Sequence, residues 1–352
     1  MERFARRVGE DFRAWAESLS GPPLVCAHFD ADGLTSAALL ARAWGLWRNA
    51  RPEVRIVGRG ENVWDATFAE SLEGVDLDGL VFADLGMRER APRPDVPLLV
   101  IDHHVSAGTP EGAVVIHGEG MEPTPSTALL AYYCAKGLVG ERAEAWLWLA
   151  AMGLVGDMAE DFAEVEAAKK AYGITNIRKA VSLVNAPRRG ASGDARPALE
   201  LLLKADSPKD VLSGGHPETE VCLQAKDEVK AATAEARRAA PKFGSKYGGE
   251  VAFVRIDTPA QVHPVIAQQW AGRLKGAKVF VANTGYIPGQ VNFSGRTKGE
   301  GSLIDWLAEN RPEGANAEHY GNGHPKAAGG ALKVEVWNAW MEELGFGEEM
   351  RV

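Results

Sequence analysis

Acidic and imidazole side chains follow several apolar segments of this chain, at positions where buried strands or helices should end. They fall into four groups: His28, Asp30 and Asp32; Asp84; Asp102, His103 and His104; and Asp157. The carboxyl ends of parallel strands share one edge of a sheet, so we expect these groups to converge in one crevice. Carboxylates that are crowded together raise one another's pKa unless cations compensate their charge. A pair of divalent cations would do so and would generate a hydroxide nucleophile near neutral pH.

Each position also has an ordinary structural explanation. An aspartate that follows a strand, such as Asp84, commonly caps a helix or lies in a turn, and Asp30 or Asp32 could cap a helix starting near Leu34. A pair of adjacent histidines is commonly a surface or core feature, and Asp157 alone would simply end a helix. The metal interpretation depends on every group following an apolar segment.

The elements that must position these groups alternate in the first half of the chain. Strands are predicted at 23–29, 53–58, 77–86, 96–104 and 113–117, with a helix at 33–48. The strands are continuous apolar runs, which is typical of a parallel sheet with both faces covered. Helices are then predicted at 126–138, 141–155, 161–171 and 174–184, and they would form a layer on the sheet.

The second half begins after a segment rich in proline, glycine, serine and charge, residues 185–197, which is the predicted linker. A long helix is predicted at about 217–240, strands at 250–256, 278–284 and 290–294, and helices at 261–274 and 301–309. We therefore predict an α/β chain with three parts: an N-terminal parallel-sheet domain with a helical layer at 1–190, a linker and connecting helix at 191–240, and a smaller C-terminal α/β domain at 241–352.

Composition narrows the class of protein. The chain has 352 residues, 45% of them hydrophobic, which is enough for two domains with proper cores. A net charge of -9 argues against a nonspecific nucleic-acid coat protein. Cys26, Cys134 and Cys222 are far apart and odd in number, which argues against a disulfide framework. No apolar run is long enough to span a membrane or to serve as a secretory signal, so we expect a cytoplasmic protein with no membrane partner.

Four short motifs occur in a fixed order: "HFDADG" at 28–33, "ADLG" at 83–86, "IDHH" at 101–104 and "GD" at 156–157. With "STALLAYY" at 126–133, they resemble the motifs of the DHH phosphoesterase superfamily. "NFSGRT" at 292–297 and "GNGHPKAAGG" at 321–330 resemble the DHH-associated C-terminal domain. The resemblance covers roughly residues 20–345. It implies a DHH catalytic domain followed by a substrate-binding domain.

The resemblance implies two manganese ions, with magnesium as the alternative, on ligands drawn from His28, Asp30, Asp32, Asp84, His103 and Asp157. Asp84 would bridge the ions, with Asp30 on one of them and Asp32, His103 and Asp157 on the other. His28 would lie in this ligand set or next to it.

The catalytic residues that the resemblance implies are Asp84, Asp102 and His104. Asp102 would orient His103 through the ring nitrogen that does not bind metal. His104 would contact a phosphate oxygen.

The composition of the glycine-rich segment 321–330 predicts an anion-binding site. Its glycines let backbone amides approach an anion, and "PKAAG" is expected to open a helix whose N-terminus favours phosphate. A glycine-rich turn is the structural alternative. By resemblance, this domain holds a nucleotide or a strand end, with substrate-binding residues Arg296, Gly321, Gly323, His324 and Lys326.

The function that the resemblance implies is a RecJ-like exonuclease, which releases mononucleotides from single-stranded DNA or RNA by attack of a metal-bridging hydroxide. Inorganic pyrophosphatases of the family carry a metal-binding histidine four residues before the first motif aspartate; that position is Cys26 here, which disfavours this activity. One alternative is a nanoRNase-like hydrolase of short oligoribonucleotides, dinucleotides or phosphoadenosine phosphate. Another is a scaffold with a replication or repair protein partner, and it is disfavoured because all the expected ligands are present.

Overall fold

A parallel sheet forms the centre of the first half of the chain. The structure is a computed structural model that describes residues 1–106, 108–316 and 319–352. The strands are β1 (Leu24–His28), β2 (Val54–Val57), β3 (Leu80–Ala83), β4 (Leu98–Asp102) and β5 (Val114–His117). They are all parallel, in the order β2-β1-β3-β4-β5. Ala83 pairs with Ala27 on one side and with Ile101 on the other, so β1, β3 and β4 end at the same level.

Helices precede, connect and follow these strands. They are α1 (Glu2–Glu17), α2 (Ala31–Arg48), α3 (Ala66–Ser71), α4 (Thr127–Val139), α5 (Leu147–Gly156), α6 (Ala163–Tyr172), α7 (Ile174–Val184), α8 (Ala186–Arg189), α9 (Arg196–Lys204), α10 (Pro208–Leu212) and α11 (Pro217–Ala236). A 3-10 helix at Gly140–Trp146 occupies the start of the helix that was predicted at 141–155.

Alternate residues of the strands face two separate apolar cores. Val25 and Ala27 of β1 pack into the larger core, to which α1, α2, α4 and α5 contribute their buried faces. Leu24 and Cys26 face a smaller core on the other side, under α3. Burial raises the pKa of the Cys26 thiol to about 12, which makes it an inert core residue. The continuous apolar runs of the sequence are explained by these two cores, and the predicted parallel sheet with its helical layer is confirmed.

The second half contains a mixed sheet. Its strands are β6 (Lys242–Phe243), β7 (Val251–Ile256), β8 (Lys278–Asn283), β9 (Gln290–Thr297), β10 (Tyr320–His324) and β11 (Ala327–Lys333), in the order β10-β11-β9-β8-β7-β6. Among the described strand pairs of this second sheet, only β7 and β8 run parallel, and the others are antiparallel. The helices are α12 (His263–Arg273), α13 (Leu303–Glu309) and α14 (Val334–Glu343), and a 3-10 helix spans Glu348–Met350. An aromatic core that includes Phe253, Phe293 and Trp340 packs between the sheet and α13 and α14.

The contacts between Cα atoms divide the chain into two units. The first comprises Met1–Arg188 with Asp194–Gln224, and the second comprises Arg189–Gly193 with Ala225–Val352, so the last of the three crossings between the units falls within α11. The separate C-terminal sheet confirms the predicted α/β class, while the domain limits at 190 and 240 stay predictions. No helix in the described ranges is long and apolar enough to cross a membrane.

Candidate metal centre

The predicted N-terminal groups meet at the carboxyl end of the parallel sheet. His28 ends β1, Asp84 follows β3 and Asp102 ends β4. Asp157 reaches the same place as the C-cap of α5. β2 lies on one side of β1 and β3 lies on the other, so the order in which strands are added to the sheet reverses at β1. Ligands of open α/β sheets bind at the carboxyl end of the strands at such a reversal.

The turn from β1 into α2 places the first carboxylates. Asp30 is the N-cap of α2, and its Oδ1 accepts hydrogen bonds from the backbone N–H groups of Asp32 and Gly33, each at 3.2 Å. Gly33 is required because a Cβ there would stand 2.3 Å from the carbonyl oxygen of His28. Asp30 therefore caps α2, as the sequence allowed. Its other oxygen, Oδ2, faces the crevice and lies 3.2 Å from Nδ1 of His28.

Asp84 lies between two groups of side chains. It is 4% exposed and has a φ of 65°, a left-handed conformation that aspartate tolerates better than most residues. Its Oδ2 lies 3.5 Å from Nδ1 of His28, and its Oδ1 lies 3.4 Å from Nε2 of His103. The two oxygens of one buried carboxylate thus face two different neighbours.

The first group consists of His28, Asp30 and Asp84, whose ligand atoms lie within 4.8 Å of one another. Burial lowers the pKa of His28, but the adjacent Asp30 carboxylate, with Asp84, outweighs burial and raises the pKa to about 10. Burial raises the pKa of Asp30, but His28 outweighs burial and holds the pKa well below its usual range. The carboxylates here attract a positive charge strongly.

The second group consists of Asp32, His103 and Asp157, with ligand atoms again within 4.8 Å of one another. Nε2 of His103 lies 3.1 Å from Oδ2 of Asp157 and 3.9 Å from Oδ2 of Asp32. This nitrogen is buried, yet it has no partner with hydrogen-bond geometry within the described ranges. Burial lowers the pKa of His103, but Asp157 and Asp84 outweigh burial and raise the pKa to about 11.

Asp32 is the more deeply buried of the two carboxylates in this group. Its side chain accepts hydrogen bonds from the backbone N–H groups of Thr127 and Ala128, both at 2.9 Å, at the N-terminus of α4. These bonds favour the ionised carboxylate. Complete burial and the nearby carboxylates of Asp84 and Asp157 nevertheless raise its pKa well above its usual range.

The donor set fits divalent cations. Carboxylate oxygens with imidazole nitrogens suit manganese, and carboxylates suit magnesium. A cation near the second group would bind Nε2 of His103, which has no hydrogen-bond partner in the described ranges. Its charge would also stabilise the ionised form of Asp32, whose pKa is otherwise raised. The residues around Asp84 thus form adjoining groups of potential metal ligands, and a further group of this kind joins Asp84 and His103 to His104.

Asp102 contacts the imidazole of His104 rather than that of His103, which was the predicted partner. Its Oδ1 accepts from the backbone N–H of His104 at 2.7 Å and lies 2.9 Å from Nδ1 of His104, while its Oδ2 accepts from the N–H of Gly86 at 2.7 Å. The expected pairing of Asp102 with His103 is thus not formed. The tight turn after β4 folds residue 104 back onto the side chain of residue 102, whereas His103 points to Asp157. The hydrogen bond that the Asp102 carboxylate accepts from the His104 ring raises the pKa of His104.

The predicted substrate-binding residues lie together in the second unit. Gly321, Gly323 and His324 are on β10, Lys326 is in the turn to β11, and Arg296 on β9 pairs with Ala327 of β11. Nζ of Lys326 donates to the carbonyl oxygens of Gly299 and Gly301 at 2.7 and 3.1 Å. Burial lowers the pKa of the Arg296 guanidinium.

The helix expected at "PKAAG" does not form, because this segment is the turn and second strand of the β10–β11 hairpin. Residues with small side chains suit the close packing of these strands. A Cβ at Gly323 would stand 2.3 Å from the carbonyl oxygen of Ala327, and one at Gly329 would stand 2.4 Å from that of Phe293. The prediction of a phosphate-binding helix N-terminus here was therefore wrong.

Comparison with known proteins shows which fold this is. Exonuclease RecJ bound to manganese superposes with a TM-score of 0.69 at 21% identity, covering 96% of this chain and 93% of that one. RecJ of Thermus thermophilus in complex with Mn2+ gives a TM-score of 0.68 at 19% identity, but this chain spans only 54% of its length. The DHH domain of a member of a family of ribosomal proteins gives 0.64 at 17% identity, covering 100% and 92% of the two chains.

The chain has the RecJ-type DHH fold. No protein-family model matches the sequence, and no curated protein does. The structural likeness therefore establishes the fold, which the ordered motifs predicted.

Three residues that help to position the candidate ligands were not predicted from the sequence. Oγ1 of Thr127 donates to Oδ1 of Asp84 at 3.2 Å. The side-chain oxygen of Asn185 accepts from the backbone N–H of Ala31 at 3.1 Å, at the start of α2. A Cβ at Gly153 of α5 would stand 2.5 Å from Oδ1 of Asp32. Only Thr127 lay within a recognised motif, and the other two become significant only through tertiary packing.

Proposed function

We propose that this protein is a metal-dependent phosphodiesterase of the RecJ-like exonuclease type, which releases mononucleotides from single-stranded DNA or RNA. The observation that carries the proposal is the buried Asp84, whose two oxygens face His28 and His103 separately. A carboxylate in this arrangement is suited to bridge two cations, and the RecJ-type fold is consistent with that role.

Manganese is the proposed metal, with magnesium as the alternative. Asp30 and Asp84, with His28 beside them, would hold one ion; the other would be held by Asp84 and the group of Asp32, His103 and Asp157. Such ions, when bound, provide an activated water and neutralise the charge that develops on phosphate oxygens.

The chain's own residues supply the remaining functions. Asp102 orients His104, whose side chain is 54% exposed and therefore able to contact a phosphate oxygen. Arg296 of the second unit offers a guanidinium, a group that binds phosphate in bidentate fashion. The β10–β11 hairpin with Lys326 is proposed to hold the terminal nucleotide.

The test uses single-stranded DNA and RNA from dinucleotides to long strands, each labelled at either end, with manganese or with chelator. Manganese-dependent shortening of long strands by one nucleotide at a time is expected, and the label position gives the polarity. Cleavage restricted to the shortest substrates would favour the nanoRNase-like alternative instead.

Asp84→Asn and Asp157→Ala should abolish the hydrolysis. Asp76→Asn, at an exposed aspartate of the same unit, is the matched control and should not. Full activity in the Asp84 and Asp157 variants would contradict the proposal.

A further inference from the structure

Two apolar side chains at the candidate metal centre are almost fully exposed. Val105 and Met158 are each 89% exposed, whereas every other exposed large hydrophobic residue in the described ranges is at or below 49%. Val105 directly follows His104, and Met158 directly follows Asp157. Because Nε2 of His103 lies 3.1 Å from Oδ2 of Asp157, the two loops that carry these side chains are neighbours.

Met158 occupies a position at which glycine would be favoured. Helix α5 ends with hydrogen bonds from Met158 N–H to the carbonyl of Val155 and from Ala159 N–H to that of Leu154, at 3.3 and 2.9 Å. This pattern puts Met158 at the left-handed position that follows the C-cap, with a φ of 59°. A methionine there has backbone strain and gains no burial, and strained residues cluster at active sites and ligand contacts.

Val105 is exposed on a backbone that is held in place. The carbonyl oxygen of the preceding residue, His104, lies 2.8 Å from Nε2 of His117, and the hydroxyl of the following residue, Ser106, donates to the carbonyl of Gly108 at 2.8 Å. The chain geometry keeps Val105 within about 7 Å of His103 and Met158 within about 4 Å of Asp157, measured between Cα atoms. Both side chains are thus within one nucleotide's length of the candidate ligands.

We infer that Val105 and Met158 form an apolar contact for the nucleobase of the nucleotide whose phosphate lies at the metal centre. This inference rests on the proposed function. The crevice beside them is lined by carboxylates, so the phosphate can lie only where cations compensate its charge. The part of the nucleotide that suits exposed valine and methionine is the flat, uncharged base, since a thioether makes favourable contacts with aromatic rings.

The experiment measures kcat/KM with manganese on single-stranded trinucleotides that are intact or carry one abasic residue at either end. The enzymes are the wild type, Val105→Ser, Met158→Asn and Met158→Leu. Met158→Asn keeps a residue that tolerates left-handed φ, and Met158→Leu restores apolar surface. Val221→Ser, at a valine that is 45% exposed on α11, is the matched control.

The wild type should prefer the intact substrate roughly tenfold over the one with the abasic residue at the scissile end. Val105→Ser and Met158→Asn should remove most of this preference by slowing only the intact substrate, whereas Met158→Leu and Val221→Ser should preserve it. Equal wild-type rates on intact and abasic substrates, or variants that slow both equally, would overturn the inference and leave the proposed function standing. A wild type that hydrolyses no strand would overturn both.

Discussion

At the scale of single residues, the candidate site depends on Asp84. Its carboxylate is buried beside Asp32, whose pKa is raised well above its usual range by burial and then by Asp84 and Asp157. Without cations this crowding is unfavourable, and with cations it is compensated. Stability should therefore respond to metal in a way that identifies the site.

Asp84→Asn is expected to stabilise the metal-free protein and to abolish most of its stabilisation by manganese. Removing one charge relieves repulsion among the buried carboxylates, while the loss of a shared ligand weakens cation binding. Saturating metal contributes about 2.7 kcal/mol to wild-type stability at a hundredfold excess over Kd. Denaturant unfolding with manganese or with chelator measures both effects. Identical responses of Asp84→Asn and of the control Asp76→Asn would contradict the site.

Asp102→Asn should destabilise the protein by about 1–3 kcal/mol. The new side-chain NH2 group would face a backbone N–H donor that now donates to a carboxylate oxygen, so one hydrogen bond would be lost. The donors are the backbone N–H groups of Gly86 and His104, each at 2.7 Å. Urea unfolding in the presence of chelator measures this loss without a contribution from metal. Asp95→Asn, at an exposed carboxylate paired with Arg93, is the control and should leave the stability nearly unchanged, because solvent screens such a pair. A similar small change in Asp102→Asn would contradict this role.

At the scale of elements, strands and helices with clear apolar patterns were predictable. All five strands of the parallel sheet and the helices α4, α6 and α7 lie within a few residues of their predicted limits. The β10–β11 hairpin was not predictable. Its alanines and glycines show no periodic hydrophobic pattern, and its pairing with β9 is a long-range contact. The partner of Asp102 was also unpredictable, since one residue of turn geometry decides between His103 and His104.

Gly153→Ala tests how an element positions a ligand. A Cβ at this position of α5 would stand 2.3 Å from Cβ of Ala128 and 2.5 Å from Oδ1 of Asp32, so α5 or the carboxylate must move. We expect a loss of about 1–3 kcal/mol in stability despite the better helix propensity of alanine, together with weaker manganese binding. Gly272→Ala is the matched control: its Cβ would meet only Nζ of Lys298, at 3.9 Å, so it should be neutral or stabilising. Equal behaviour of the two variants, measured by unfolding and by metal titration, would show that α5 does not restrain Asp32.

At the scale of the whole molecule, the two units should have separable roles. The candidate metal ligands belong to the first unit, and Arg296 with the β10–β11 hairpin belongs to the second. A substitution in one unit should therefore leave the measurable property of the other unit unchanged, although the proposed hydrolysis of a strand would need both units.

Arg296→Gln provides this test, because it removes a guanidinium without touching a metal ligand. Losing one phosphate contact should raise KM for single strands about tenfold and reduce the salt dependence of binding by roughly one unit of slope. The stabilisation of the protein by manganese should not change, since Arg296 and the ligands lie in different units. Arg273→Gln, at a guanidinium that stacks on Trp270 with its Cζ 5.0 Å from the ring centroid, is the matched control in the same unit. If Arg296→Gln left KM and the salt slope at wild-type values, the second unit would have no part in holding the strand through this residue. If it instead abolished the response to manganese, the two roles would not be separable.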